Sequence, residues 1–280
     1  MPRFDLSRPA LLLHCVTLWA ATLAVQAAPP PAGGWRLSFD GVPTGPLTVE
    51  RLAQLSPTPL LWAEGFAQGT EAGRGRIVEI DHGRRALEML YPTGGVGPQQ
   101  TGGQWMAELP PRDEYTLEYV LRFGDDFDWV RGGKLPGLAG GETPSGGHYS
   151  PDGFTARYMW RPEGRLVLYL YWAGQESSRR PEGAQYAEDL ETGFTLERGR
   201  EYRLRQRIRL NTPGQPDGSV QIWVDDTLVL DRSNLLFRLT PDRQWQIDRF
   251  FFSTFHGGND PTWAPTRDVT VQFRDFQITG

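Results

Sequence analysis

FTARYMWR (154–161), PEG (162–164) and RLVLYLYW (165–172) form one continuous stretch of the chain. The outer runs are rich in aromatic and branched residues, and three residues with glycine last join them. That pattern predicts a β-hairpin whose type I turn is closed by a glycine bulge. The turn sets the register: Arg161 opposes Arg165, Arg157 opposes Tyr169, and Thr155 opposes Tyr171. Side chains alternate along a strand, so Phe154, Ala156, Tyr158 and Trp160 share a face with Leu166, Leu168, Leu170 and Trp172. That face reads as core. The other gathers Thr155, Arg157, Tyr169 and Tyr171, with opposed Cβ atoms about 4.5–5.5 Å apart. Such a cluster is either an ordinary solvated sheet face or a site.

The same period of two runs outward in both directions. Tyr115, Leu117, Tyr119, Leu121 and Phe123 alternate through 115–123. Arg76–Ile80 and Arg85–Tyr91 read as a hairpin around Asp81-His82-Gly83, and Ser219–Val224 with Leu228–Asp231 as another around Asp225-Asp226. Trp35–Phe39, Trp105–Leu109, Ile247–Phe255 and Val269–Ile278 supply further strands, while Thr48–Leu55 is the one short helical candidate. With 33 glycines, 23 prolines and 12% aromatic residues, the chain has many turns and ample core material. An all-β sandwich of one domain, residues 35–280, follows.

Between the strands lies FDWVRGGKLPGLAGG (127–141), which reads as a glycine-hinged loop. Lys134 sits at its centre and is the only lysine among 29 basic residues. Arginine does not release its proton in a protein, whereas a lysine amine titrates readily when its surroundings change. The alternative is a surface lysine on a flexible loop.

GGKLPGL followed by Gly140-Gly141 resembles the signature of polysaccharide lyase family 14. Members cleave uronate polymers such as alginate or polyglucuronate by β-elimination on a β-jelly-roll of two antiparallel sheets. The resemblance extends over the mature chain, from about Phe39 to Ile278. It implies that Lys134, Arg157, Tyr169 and Tyr171 are catalytic, an arginine and a Tyr-x-Tyr pair standing at matching positions. It also places His148 and Thr155 beside the substrate; Thr155 stands where some members have serine. FFSTFHGGND (251–260) resembles the family too, with His256 where an aromatic is frequent. Gln104, closing the loop 94–104, and His256 complete the substrate-binding candidates.

β-Elimination on a uronate needs a cation on the C6 carboxylate, a base for the C5 proton and an acid for the departing O4. Arginine's fork suits the carboxylate. Positive neighbours are expected to lower both the tyrosine and the lysine pKa values, so Lys134 and one tyrosine share base and acid work, in an order left open. Two other classes compete: a non-catalytic carbohydrate-binding sandwich, and a glycoside hydrolase using acids such as Glu79 in Glu79-Ile80-Asp81. The latter needs paired carboxyls, and His82-Gly83 turns the chain before a third acid follows; Glu79 reads as a solvated strand residue.

A net charge of −5 argues against nucleic acid as partner, and an acidic polysaccharide would require a locally basic face. Arg203, Arg205, Arg207 and Arg209 alternate through 202–210, either as a solvated outer row or as a steering surface. No cofactor is expected, and the four histidines show no metal-ligand spacing. Arg3 and Arg8 precede an apolar run, Ala10–Ala27, ending in small residues. This reads as a cleaved signal peptide over 1–28 with a linker at 29–34, and the only cysteine, Cys15, lies inside it. A monomer secreted or held in a bacterial periplasm is expected, with no disulfide and no membrane attachment after cleavage.

Overall fold

A computed structural model describes residues 34–175 and 186–280, together with the backbone of Ser178, Arg179 and Gln185. The expected signal peptide and nearly all of the linker lie outside the described residues. Two antiparallel sheets face each other. The back sheet has nine strands, ordered Thr227–Leu235, Gly218–Val224, Glu201–Arg209, Glu114–Phe123, Val269–Thr279, Arg84–Tyr91, Gly75–Asp81 and Gly45–Pro46, with Trp35–Leu37 also paired to Val269–Thr279. The front sheet has seven, ordered Glu188–Thr195, Arg165–Tyr171, Gly153–Trp160, Gly133–Gly141, Ile247–His256, Gly103–Arg112 and Leu60–Trp62. Ser178–Arg179 and Gln185–Tyr186 form a small separate ribbon. No helix among the described residues is long and apolar enough to cross a membrane.

Local chemistry accounts for these elements. The alternation through 115–123 buries the five expected residues against the front sheet. His82-Gly83 and Asp225-Asp226 adopt positive φ at both central positions, the twist that suits two-residue hairpins. Aromatic residues fill the space between the layers: Tyr119 stacks on Phe276 at 5.2 Å, and Trp105 meets Phe250 and Phe252 at 5.1 and 5.4 Å. The arginine row on Glu201–Arg209 lies on the outer back face, paired with Glu114, Glu118 and Asp226. Its strand is interior to the sheet rather than an edge.

The helix at Val49–Leu55 begins where expected, with the Thr48 hydroxyl accepting from the Arg51 N–H. A second helix, Glu64–Glu71, has no sequence signal: its cap, Ala63, offers no side-chain acceptor. Packing holds it instead, through Phe66 in the core and Gly69 against the Gly102 carbonyl. The hairpin register matches the expectation pair for pair. The turn does not: Glu163 itself is left-handed at φ 63° and Gly164 follows at 84°, so it is not a type I turn with a single glycine bulge.

The larger correction concerns 127–141. Gly133–Gly141 is not a loop but a buried strand in the centre of the front sheet. Its glycines serve close approach as well as turning. A Cβ on Gly133 would enter the Trp160 ring, and one on Gly137 would drive into the Ala156 carbonyl.

Candidate active site

The site is built on the outer face of the front sheet, row by row. Directly opposed residues share a face. One row runs Phe251, Gly137, Arg157, Tyr169, Asp189 across five strands. Because its neighbour on the lysine strand has no side chain, the Arg157 guanidinium lies across Gly137 and reaches the Phe251 ring, 4.8 Å from its centroid. The next row holds Phe255, Lys134 and Met159.

Lys134 and Arg157 share this face only because of a bulge. The register partners of Lys134 and Gly137, Met159 and Arg157, are two residues apart, whereas Lys134 and Gly137 themselves are three apart. The extra residue restores parity, sending Leu135 and Leu138 into the core and Lys134 outward.

Lys134, Arg157, Met159, Tyr169, Asp189 and Phe255 line a cleft of about 600 Å³ that also takes in Arg131, Arg161, Glu188, Asp260 and Trp263. The Lys134 Nζ lies 3.4 Å from the Tyr169 ring centroid and 2.6 Å from the Met159 sulfur. It is 8% exposed and makes no ion pair among the described residues. Burial first, and then Arg157 and Arg161, hold its pKa well below the usual lysine value. Arg157 is 2% exposed, and only its Nη1 has a partner, the Ser253 hydroxyl at 3.2 Å. Its Nε and Nη2 are unpaired among the described residues. A buried guanidinium without a counter-charge is costly, and the vacant half of its fork suits an anionic ligand.

The tyrosines depart from expectation. Burial pushes the Tyr169 phenol above the ordinary tyrosine range, Tyr171 adds to that, and Arg157 and Arg161 offset only part of it. The cluster is no solvated face: Tyr169 is 7% exposed and Tyr171 not at all. The Tyr171 hydroxyl accepts from the Gly147 N–H at 2.8 Å, and Thr155 donates to the Pro144 carbonyl at 2.8 Å. Both fasten the loop 142–152 over the sheet instead of lining the cleft.

The remaining candidates scatter. His148 is exposed on that loop, outside the cleft lining. Gln104 stands behind Arg157, donating to Ser253 at 2.8 Å. His256 points the opposite way: strand alternation turns Phe255 to the cleft and His256 inward, among Tyr91, Phe127 and Trp160. Burial lowers its pKa to about 4.

Sequence reading missed Ser253, Phe251, Phe255 and Met159, although the first three lie in the quoted FFSTFHGGND stretch and strand parity alone separates them from His256. It also missed Arg161, which grips Asp189 through two bonds of 2.8 and 2.6 Å, and Arg131, stacked 4.8 Å from the Trp263 ring. Glu79 is exposed on the back sheet, paired with Arg85, and does not line the cleft.

Comparison with known proteins agrees with the architecture. The marine PL-14 alginate lyase from Aplysia kurodai superposes with a TM-score of 0.73 at 26% identity, covering 88% of this chain and 98% of that one. Alginate lyase Aly36B gives 0.70 at 23% identity, covering 89% and 97%. Alginate lyase vAL-1 from Chlorella virus gives 0.62 at 23% identity, covering 73% and 88%. A search of curated proteins finds no match. The family described as polysaccharide lyase 14 matches residues 79–276, which spans the front-sheet rows from Gln104 to Phe255. By that match, over a jelly-roll sandwich of the same architecture, the chain belongs to the polysaccharide lyase 14 family and is a polysaccharide lyase.

Proposed function

We propose that the protein cleaves an alginate-type polyuronate by β-elimination in the Lys134–Arg157–Tyr169 cleft. The observation that carries this reading is the half-vacant, buried Arg157 fork beside an amine and a phenol that both favour their neutral forms. Arg157 binds the C6 carboxylate and withdraws charge from it, which acidifies the C5 proton. Lys134, whose pKa is held down by burial and by its flanking arginines, takes that proton on Nζ as the free amine. The electron pair becomes the C4=C5 double bond, the C4–O4 bond breaks, and O4 takes the proton of the Tyr169 phenol. Burial suits each group to its task, since it favours a free amine as base and an intact phenol as acid. Tyr171 and Thr155 act by holding the covering loop, and Arg131 on Trp263 extends the basic wall for a neighbouring sugar carboxylate. The sequence over 1–28, read as a signal peptide, favours export to where such polymers are met.

Incubation with alginate, polyglucuronate and a neutral glucan, following unsaturated-uronate absorbance and reducing ends together, tests the reading. A lyase releases both signals from a uronate polymer. Reducing ends without the double bond would mean hydrolysis, and binding without either would mean a carbohydrate-binding sandwich.

A further inference from the structure

The bulge that brings Lys134 to the face of Arg157 is tied from behind. Gln206, on Glu201–Arg209 of the back sheet, is fully buried and reaches through the apolar core. Its Oε1 accepts from the Leu138 N–H at 3.1 Å and its Nε2 donates to the Ala156 carbonyl at 2.9 Å. Leu138 and Ala156 are register partners on the lysine and arginine strands. One carboxamide therefore bridges the two strands at this register pair. A second tie lands beside it: the Tyr119 hydroxyl, from the adjacent back-sheet strand Glu114–Phe123, donates to the Pro136 carbonyl at 3.2 Å. Pro136 has no N–H for the ladder, so this segment has few ladder bonds of its own.

A strand that slips by one residue turns every side chain to the other face. Here that would carry Lys134 into the core. The glycine contacts at Gly133 and Gly137 and the cost of burying Lys134 already oppose such a slip. The bidentate amide adds a directional constraint at the first regular pairs beyond the bulge.

We propose that Gln206 is a positioning residue for catalysis: through the core, it locks the bulged register that sets Lys134 beside Arg157, with Tyr119 as the second tie. The kinetic part of this proposal rests on the elimination reading above; the structural part does not.

The test uses the full chain. Gln206→Leu keeps the volume and removes both bonds. Its kcat on alginate is expected to fall about 10²-fold, the scale of a misplaced catalytic group, with KM changing by less than about threefold. The acid limb of its pH–rate profile is expected to shift from the parental position, as Lys134 leaves the setting that Arg157 and Tyr169 give it. Gln206→Glu, which when protonated still accepts from Leu138 and donates to Ala156, is expected to recover activity as pH falls. Tyr119→Phe, the milder change should Gln206→Leu fail to fold, is expected to lower kcat several-fold in the same sense. Because Lys134 is the only lysine, ¹³C-dimethylation gives one lysine NMR signal whose titration is read without any substrate. A folded Gln206→Leu or Tyr119→Phe with the parental lysine titration and kcat overturns the proposal. A parent chain that releases no unsaturated product from any uronate overturns the elimination reading instead, and the lysine titration still decides whether the tie exists.

Discussion

Around Lys134 the Tyr169 ring face and, weakly, Asp189 favour an ammonium, but burial and two arginines outweigh them. In the proposed reaction its value then lies in losing the proton rather than in its charge. Lys134→Arg replaces a titratable amine with a permanent cation, and kcat is expected to fall by about 10²–10⁴-fold, with a lowered melting temperature because that cation is buried beside two arginines. Full activity in that variant would exclude Lys134 as the base. Tyr169→Phe keeps the ring under the amine and removes the phenol proton, so kcat should fall by a comparable factor while KM stays close to the parental value. His256 gives a stability prediction of definite sign. Its pKa falls from 6.5 to about 4 on folding, so the unfolded chain binds more protons throughout that window. Its neutral burial is harmless above pH 6.5, and stability drains away as pH falls towards 4, by up to about 3 kcal/mol. His256→Phe should flatten that loss, read by urea unfolding at pH 7 and pH 4.5, and leave kcat at neutral pH little changed.

At the scale of the element, the hairpin was readable and the lysine strand was not. Turn length and alternation are local properties, and they were enough to place Arg157 opposite Tyr169. The lysine strand's glycines look like hinges in sequence because the reason for them lies elsewhere: Trp160 over Gly133, and Arg157 with the Ala156 carbonyl over Gly137. Gly137→Ala is accordingly expected to cost about 1–3 kcal/mol of stability and to remove activity by displacing Arg157, with thermal unfolding and kcat measured side by side; an unchanged melting temperature would mean the strands have room to spare. The tyrosine pKa expectation went astray for a related reason. Neighbouring arginines can be inferred from register, but the burial that outweighs them depends on the loop 142–152, whose anchors at Gly147 and Pro144 carry no periodic signal. His256 and Phe255 differ by one step in parity, and the irregular pairing between Phe251 and Phe255 hides which of them meets the cleft.

For the molecule as a whole, a chain of net charge −5 confronts a polyanion. In the back-sheet row Arg203, Arg205 and Arg207 are tied up with carboxylates and Arg209 bonds the Asp217 carbonyl, all facing away, so attraction has to come from the cleft. That cleft spans five strands, about 19 Å at the usual spacing, from Glu188 and Asp189 at one end to Arg131 and Trp263 at the other. Arg131→Ala is expected to raise KM for polymer about three- to tenfold at low ionic strength, with the difference shrinking above about 0.2 M salt; a salt-independent KM in both proteins would place Arg131 outside the substrate path. The solitary lysine has a practical corollary as well. Reagents that couple proteins to beads or slides through amines would find only the α-amino group and the residue on which turnover is proposed to depend. Such supports should yield a poorly active preparation unless substrate shields the cleft during coupling, whereas attachment through the many surface carboxylates leaves the amine untouched.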